Sequence, residues 1–485
     1  MTPPYFLGID IGTQGARTVL MDVQGTVISE AKESFPLSES FREEQSPQRW
    51  WESCLCSLQR LISNAKDVID LNNIKALSVT STSGTVIPLD KNNAPLHNAI
   101  MYSDGRSAHE GTLCKEAALQ YNPEGYTGFN SSSGLSKMVW FVHSFPDQVE
   151  RIDKWVHAAD FVTGKLSGTW GITDYTNALK SGYDLTQAEW PEYLFNVLPL
   201  KKEWLPNVVP SGTPIGTLEA SVAAQLGLNK NIQVAAGMTD GCASQIASGA
   251  VNLGDWNTTI GTTLVVKGVT QQRIKDPDDS LYNHRHPEGW WMPGGASNIG
   301  ADWVTKNFKD DLQSLNEEAA QLIPTGKLSY PLLQKGERFP FVAPSAQGFE
   351  AEGLSRVERF VANMEGVAYI ERYAYEKIEA ISGEKVKAIY TAGGASNSDV
   401  WLTIRSNVLN LPIYKMKQVT GAAGAAILAA SKTHFASITQ ATKAMTQIEK
   451  EIYPKKELAT KYNETYKQFV QLLEEKGYIK REAYA

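Results

Sequence analysis

A carboxylate followed by closely spaced glycines stands near the N-terminus, in the segment IDIGTQGAR. Asp10 closes an apolar run, and Gly12 and Gly15 permit a sharp turn that presents backbone N–H groups to an anion. Three further side chains add donors and a cation: Thr13, Gln14 and Arg17. This combination suits a phosphate with Mg²⁺, the metal being held through Asp10 and water. A plain β-hairpin turn would use the same glycines, so this motif alone leaves both interpretations open.

A second carboxylate follows a strand-like run, in the segment GMTDG. Asp240 stands between that strand and a glycine, where it can project into a cleft and accept the proton of a substrate hydroxyl. A turn residue or a helix N-cap would fit the same position. A neighbouring Gly-Thr-Thr turn favours the catalytic interpretation because it can hold the transferred phosphate; its residues are Gly261, Thr262 and Thr263.

A glycine pair follows a short strand in the segment TAGGASN. Gly393 and Gly394 allow a flat ring or a ribose to approach the backbone, and Asn397 can form a hydrogen bond with it. A generic glycine loop is an equally good interpretation of this segment taken by itself.

Two polar segments, STSG at 81–84 and YSDGR at 102–106, each follow an apolar run. Ser83, Asp104 and Arg106 are residue types that grip a polyol through directional hydrogen bonds. Taken singly, Asp104 fits a turn as well, and Arg106 fits a surface ion pair.

Composition excludes several classes of protein. The chain has 485 residues, 20% charged and 42% hydrophobic, with a formal net charge of −7. These values are typical of globular proteins, and they argue against a disordered chain and against a nucleic-acid partner. The longest run of small apolar residues is too short for a membrane span. The four cysteines form no CxxC pair, and no signal peptide is visible, so we expect a cytoplasmic enzyme with reduced thiols.

Alternating strand and helix patterns predict an α/β protein. Apolar runs predict strands at 5–10 and 74–80, and helical spacing predicts helices at 50–63, 361–381 and 420–431. The tripeptide Ile-Gly-Thr occurs between apolar runs at 11–13 and again at 260–262, which suggests a duplicated domain. The stretch 105–210 shows no clear pattern.

Taken in order, the motifs resemble the FGGY family of carbohydrate kinases. The series is IDIGTQGAR, YSDGR, GMTDG, IGTT, GGASNIGADW, GERFPF and TAGGASN, and it covers nearly the whole chain. The resemblance implies two actin-like (ribonuclease H-like) domains flanking a catalytic cleft. We expect a sugar-binding domain at 1–247 and a nucleotide-binding domain at 248–450, with a C-terminal helix at about 451–485 that packs back on the first.

The resemblance also implies roles for individual residues. Asp240 matches the catalytic base, and Asp10 and Asp240 lie near Mg²⁺, partly through water. The sugar contacts are Asp10, Ser83, Asp104 and Asp240. The ATP-binding residues are Gly12, Thr13, Gln14, Arg17, Gly261, Thr262, Thr263, Gly393, Gly394, Ala395 and Asn397. The implied partners are ATP, Mg²⁺ and a small sugar, with no nucleic acid and no membrane; a monomer and a homodimer are both open.

One departure from the family bears on the substrate. Ser81-Thr82-Ser83-Gly84 stands where xylulose kinases of the family usually carry Gln-Met-His-Gly. The T-S-G segment resembles the D-ribulose kinases, so we expect conversion of D-ribulose to D-ribulose 5-phosphate. D-xylulose is the alternative acceptor. Another polyol kinase, or a non-catalytic actin-like nucleotide-binding protein, is a further alternative.

Overall fold

A computed structural model describes residues 3–35 and 38–480 of the chain. The strands are β1 Tyr5–Gly12, β2 Gly15–Asp22, β3 Val27–Ser34, β4 Glu44–Gln45, β5 Ile74–Ser81, β6 Val86–Leu89, β7 Ala99–Ile100, β8 Lys154–His157, β9 Ile172–Asp174, β10 Asn207–Val209, β11 Pro214–Thr217, β12 Gln233–Thr239, β13 Asp255–Ile260, β14 Leu264–Gly268, β15 Leu281–Arg285, β16 Trp291–Ser297, β17 Ser329–Tyr330, β18 Phe349–Glu350, β19 Ala388–Ala392, β20 Ile413–Met416 and β21 Ile448–Ile452.

The α-helices are α1 Pro47–Ala65, α2 Ala108–Tyr121, α3 Gly134–Ser144, α4 Ala158–Ser167, α5 Tyr175–Ala178, α6 Tyr193–Asn196, α7 Ala220–Leu226, α8 Asp240–Ala247, α9 Asp302–Asn307, α10 Leu312–Ala319, α11 Arg356–Ser382, α12 Asp399–Leu409, α13 Gly421–Ser431, α14 Ile438–Met445 and α15 Lys456–Glu475. Short 3₁₀ helices occupy Leu71–Asn73, Pro146–Arg151, Leu179–Ser181, Lys202–Trp204, Lys309–Asp311 and Gly394–Asn397. Among the residues described, no helix combines the length and the apolar character needed to cross a bilayer.

The chain divides into two compact units. The first contains residues 1–247, 284–289 and 418–447, and the second contains 248–283, 290–417 and 448–485. The expectation that the C-terminal helix packs back on the first domain is wrong, because α15 lies in the second unit, against α12. Its Tyr462 and Phe469 rings pack against Tyr369 of α11. Residues 481–485 of that segment lie outside the described part.

The first unit is built on a mixed sheet in the order β11-β12-β5-β1-β2-β3. Strands β12, β5 and β1 run parallel to one another, while β1–β2 and β2–β3 are antiparallel. Apolar side chains of β1 and β5 pack against α1 and α4 in one core. The carboxyl ends of the three parallel strands therefore meet at one edge of the sheet, where α/β proteins commonly bind ligands.

The second unit repeats this arrangement. Its sheet has the order β15-β16-β14-β13-β19-β20-β21, in which β13 is antiparallel to β14 and parallel to β19. In the first unit β1 is likewise antiparallel to β2 and parallel to β5. Each repeated Ile-Gly-Thr tripeptide thus lies at the same hairpin of its sheet, as expected for a duplicated domain.

The stretch 105–210, which the sequence pattern leaves unassigned, forms a helical layer in the first unit. Helices α2 and α3 pack around buried aromatic and aliphatic side chains, with Phe141 and Trp155 in edge-to-face contact. A small antiparallel sheet in the order β4-β7-β6-β8 supports this layer.

Helix α13 belongs to the first unit, and its backbone packs directly against the backbones of β1 and α8. A Cβ atom at Gly424 would lie 1.9 Å from the carbonyl oxygen of Ala243 in α8, and a Cβ at Gly8 of β1 would lie 1.8 Å from the carbonyl oxygen of Ala422. Side chains at these glycines would force α13 away from β1 and α8. The run of glycine and alanine at 421–426 therefore sets how closely the helix approaches.

We predict that Gly424→Ala destabilises the protein by about 1–3 kcal/mol or more, because the new methyl group overpacks a rigid backbone contact. Thermal and urea unfolding would measure the loss. Gly105→Ala is the control, because its Cβ would meet no atom within 4 Å. Equal stability of the two variants would contradict the close approach of α13.

Candidate active site

The ends of the three parallel strands in the first unit bring the predicted sugar and catalytic residues together. Asp10 of β1 pairs in register with Thr80 of β5, and Thr239, the last residue of β12, pairs with Ser81. Asp240 follows directly as the first residue of α8, and Ser83 follows in the turn after β5. Asp10, Ser83 and Asp240 therefore lie at one edge of the sheet, and their roles stay predictions.

The IDIGTQGAR segment folds into a hairpin in which Gly12 pairs with Gly15 and Thr13–Gln14 form the loop. Neither glycine has a positive φ, so the turn itself does not require them. Gly15 is required for another reason: a Cβ there would lie 2.5 Å from the carbonyl oxygen of Glu33 in β3. At Gly12 a Cβ would lie 3.7 Å from the carbonyl oxygen of Gly15, which is an ordinary contact, so packing does not require glycine there.

Asp10 is a strongly perturbed carboxylate. Burial, followed by repulsion from Asp240, raises its pKa to about 7, and Arg17 opposes the shift. Arg17 pairs with Asp10 across the β1–β2 hairpin, so the two side chains lie on the same face. The Oδ1 atom of Asp10 is buried and has no hydrogen-bond partner within the described part of the chain. A buried, partnerless oxygen of this kind calls for a ligand atom or water.

The first residue of α13 helps to place this carboxylate. A Cβ atom at Gly421 would lie 2.9 Å from Oδ2 of Asp10, so only glycine allows the carboxylate to lie against the start of the helix. Thr420 caps that helix by accepting a hydrogen bond from the Ala423 amide at 3.2 Å. No motif among the candidate site residues pointed to 420–421.

The Asp10 and Asp240 pair fits a magnesium ion. Burial and the charge of Asp240 raise the pKa of Asp10, and a divalent cation would relieve the repulsion between the two carboxylates. Mg²⁺ is commonly held by one or two carboxylates together with water and phosphate oxygens. No cluster of three or more histidine, cysteine or acidic side chains in residues 3–35 and 38–480 is placed to form a dedicated metal cage. The residues present therefore suit a shared Mg²⁺ rather than a structural metal.

The two remaining residues predicted to contact the sugar, Ser83 and Asp104, differ in their hydrogen bonding. Ser83 has a buried hydroxyl without a hydrogen-bond partner among the described residues. Both carboxylate oxygens of Asp104 instead accept hydrogen bonds from Arg106, at 2.7–3.0 Å, and Arg106 also donates to Glu44 at 2.8 Å. Arg106 therefore forms ion pairs with Asp104 and Glu44 in this structure. A sugar contact by Asp104 stays a prediction.

Lys137 is a buried cation that the sequence analysis missed. Its side chain is inaccessible, and its Nζ donates to the carbonyl oxygen of Ser131 and, at 3.4 Å, to that of Asp104. Burial lowers the pKa of Lys137 to about 8, against the favourable charge of Asp104. A lysine within the apolar pattern GLSKMVWF was the available signal. Lys137 ties the loop of Asp104 to helix α3.

The predicted ATP-binding residues divide between the two units: Gly12, Thr13, Gln14 and Arg17 lie in the first unit, and the others lie in the second. Gly261, Thr262 and Thr263 form the turn between β13 and β14, in which Thr262 is exposed and Thr263 is half-buried. Strand β19 runs parallel to β13 and leads into Gly393, whose φ is +86°. A Cβ at Gly393 would lie 2.4 Å from the carbonyl oxygen of Ile260, so this glycine allows the two loops to touch.

The other members of the glycine loop lie in the short 3₁₀ helix Gly394–Asn397. A Cβ at Gly394 would meet no atom within 4 Å, which leaves its surface open. Ala395 is buried, and Asn397 accepts a hydrogen bond from Lys415 through its Oδ1 at 3.1 Å. Lys415 in turn pairs with Glu449, so Asn397 is held in place by a charged side chain.

Two related α/β units, each with a hairpin turn at the end of its central strand, define the actin-like two-domain fold. The N-terminal domain of the FGGY family of carbohydrate kinases matches residues 5–247, and its C-terminal domain matches residues 256–433. The chain therefore belongs to the FGGY family of carbohydrate kinases. It is a sugar kinase, which transfers a phosphoryl group from ATP to an alcohol group.

Individual relatives resemble this chain along nearly its whole length. Xylulose kinase of Bacillus subtilis is 26% identical over 488 residues, covering 94% of each chain. Gluconokinase of Bacillus licheniformis is 25% identical and covers 83% of this chain and 82% of its own. The crystal structure of a xyloylose kinase from Brucella ovis has a TM-score of 0.85 at 23% identity, covering 96% of this chain and 98% of its own. This last likeness supports the fold.

We predict that Gly393→Ala lowers stability and weakens ATP binding, because alanine is strained at this backbone conformation by about 1–3 kcal/mol and its methyl group would strike Ile260. Thermal unfolding and calorimetric titration with ATP would measure the two effects. Gly394→Ala is the control for stability, since that Cβ has open space. A Gly393→Ala protein that unfolds at the wild-type temperature would contradict the geometry.

Proposed function

We propose that this chain transfers the γ-phosphoryl group of MgATP to the terminal hydroxyl of a ketopentose. The observation that carries the proposal is the pair of acidic residues at the strand ends of the first unit, with Asp10 strongly perturbed by burial and by Asp240. Carboxylates at such a site can serve as a base and as metal ligands. The hairpin loop Thr13–Gln14 and the turn 261–263 supply hydrogen-bond donors of the kind that phosphates need.

Asp240 acts as the general base in this proposal. Its carboxylate accepts the proton of the substrate hydroxyl while the oxygen attacks the γ-phosphorus. In the structure its Oδ1 accepts a hydrogen bond from the Gly241 amide at 2.6 Å, which orients the group. A bound Mg²⁺ supplies charge neutralisation for the phosphate oxygens, and Asp10 and Asp240 are the residues that would hold it.

Other predicted site residues bind the sugar and the nucleotide. Ser83 offers the sugar a buried hydroxyl that has no hydrogen-bond partner among residues 3–35 and 38–480. Arg17 offers a cation to the phosphates from the hairpin opposite Asp10. In the second unit, Gly393 and Gly394 admit the adenosine, and Asn397 is held ready by Lys415. Because the protein contributes little covalent chemistry, positioning supplies most of the rate.

The relatives favour D-xylulose over D-ribulose as the acceptor. Full-length relatives at 26% identity are named xylulose kinase, from Bacillus subtilis and from Staphylococcus epidermidis, so we take D-xylulose as the first candidate. D-ribulose, expected from the sequence alone, is the second candidate because of the unusual Ser81-Thr82-Ser83-Gly84 turn. The two sugars differ only in configuration at C3, so the hydrogen bonds to that hydroxyl must distinguish them.

A non-catalytic actin-like protein is the alternative of a different class. That alternative does not account for a base-like aspartate at 240 beside Asp10. A sugar-stimulated release of ADP would exclude it, whereas no stimulation by any polyol would favour it. We also expect the enzyme to act in the cytoplasm, where ATP is available.

We predict that Asp240→Asn lowers kcat by about 10²- to 10⁴-fold, the usual contribution of a general base, while ATP binding stays nearly intact. Steady-state kinetics with the sugar and calorimetric titration with ATP would separate these effects. Asp67→Asn makes the same charge change at an exposed site of the first unit and serves as the control. Near wild-type turnover by Asp240→Asn would refute the base assignment.

We further predict that kcat/KM for D-xylulose exceeds that for D-ribulose by about 10-fold or more, because a pocket that pairs with a hydroxyl strongly rejects its misplaced counterpart. Coupled assays with the two sugars side by side, and with gluconate as a third acceptor, would measure the ratio. A clear preference for D-ribulose would reverse the order of the two candidates, and a preference for gluconate would reject both.

A further inference from the structure

The strand that carries the base is irregular just before Asp240. Pairing between β12 and β5 shifts between Ala235 and Met238, so that residues 236–237 stand opposite the single residue Val79. This is a β-bulge, a feature that bends a strand and re-aims its side chains, often beside active sites. The bulge therefore lies immediately upstream of the candidate base.

Gly237 makes this bulge possible. A Cβ at Gly237 would lie 1.8 Å from the carbonyl oxygen of Val79, so the two strands touch where a side chain would stand. The bulge interrupts the regular ladder of backbone hydrogen bonds. The backbone groups that follow it need other partners, because buried polar groups without partners are costly.

Two buried threonine hydroxyls supply those partners. Thr80 Oγ1 donates to the carbonyl oxygen of Met238 at 2.8 Å. The amide of Thr239 donates to Thr176 Oγ1, also at 2.8 Å. Both threonine side chains are 0% exposed. The chain is thus held on both sides in the two residues that precede Asp240.

Asp174 fixes the direction of the Thr176 hydroxyl. Its Oδ2 accepts hydrogen bonds from the Thr176 amide and hydroxyl, each at 2.8 Å, and from Ser211 Oγ at 2.6 Å. Its Oδ1 accepts from the Asn177 amide and side chain. Because the hydroxyl proton of Thr176 points to the carboxylate, its oxygen keeps a lone pair for the Thr239 amide.

We propose that Thr176, oriented by Asp174, and Thr80 are positioning residues that hold the bulged end of β12 and thereby aim Asp240 at the acceptor hydroxyl. The inference rests on the proposed function, because it assigns a purpose to the position of the base. The residues that it adds are buried. Their effect reaches the reaction through the backbone of Met238 and Thr239.

The test compares variants that differ in one hydroxyl. Thr176→Val keeps the side-chain shape and removes the acceptor of the Thr239 amide, while Thr176→Ser keeps a hydroxyl. Ser211→Ala is the matched control, because it removes a hydrogen bond to the same carboxylate and leaves the hydrogen bond between the Thr239 amide and Thr176 in place. Kinetics with the best ketopentose and hydrogen–deuterium exchange of the Thr239 amide in ligand-free protein are the two readouts.

A positioning role predicts a specific pattern. Thr176→Val should lower kcat by about 10- to 100-fold, the usual consequence of a small misplacement of a catalytic group, with little change in KM for ATP. Its Thr239 amide should exchange faster than in the wild type. Thr176→Ser should restore both properties, and Ser211→Ala should keep wild-type kcat.

Three results would overturn the inference: wild-type kcat in Thr176→Val, unchanged exchange at Thr239, or an equal loss of kcat in Ser211→Ala. If Thr176→Val fails to fold, the same kinetic comparison is made with Thr80→Val. Thr80→Ser then tests whether restoring a hydroxyl restores kcat. A wild-type protein that phosphorylates no sugar refutes the proposed function instead. In that case the exchange at Thr239 in Thr176→Val alone decides whether the threonine holds the strand.

Discussion

The first unit depends on the absence of side chains where helix α13 meets its neighbours. Gly8, Gly421 and Gly424 each lie so close to another element that a Cβ would fall within 3 Å of a backbone or carboxylate oxygen. The helix therefore touches β1, which carries Asp10, and α8, which begins with Asp240. Dense contacts of this kind resist displacement, because protein interiors are packed as tightly as organic crystals. One helix of small residues thus fixes the separation of the two acidic groups.

Electrostatics in the first unit follow from that separation. Asp10 and Asp240 repel one another in a partly buried setting, and Arg17 offsets the repulsion only in part. The protein as a whole carries a formal charge of −7, so its overall field does not draw ATP to the site. In the proposed mechanism the attraction comes from local groups: the backbone N–H groups of the hairpin loops, Arg17 and a divalent cation. Binding of nucleotide and of metal should accordingly support one another.

Local sequence patterns predicted the parts of the molecule that depend on neighbouring residues. Strands β1 and β5 and helices α1, α11 and α13 lie within a few residues of their predicted bounds. The motifs named Asp10, Ser83 and Asp240 as candidate site residues, and the structure places them at one edge of the sheet. Contacts between distant segments were not predicted. No local sequence pattern indicated that α15 packs on α11, that Arg106 binds both oxygens of Asp104, or that Lys137 is buried. Thr176 was likewise invisible, because its partner Thr239 lies 63 residues away.

The chain path of the first unit has a consequence for biosynthesis. Its core is closed by residues 418–447, which leave the ribosome only after the whole central part of the second unit. Until then β1 and α8 expose the surface that α13 covers, and Asp10 lacks the helix start that lies against it. The N-terminal half cannot complete its folding while it is being made, although domains commonly fold in the order of synthesis. Premature termination before residue 418 would leave an apolar, aggregation-prone surface, so the kinase becomes competent only near the end of translation.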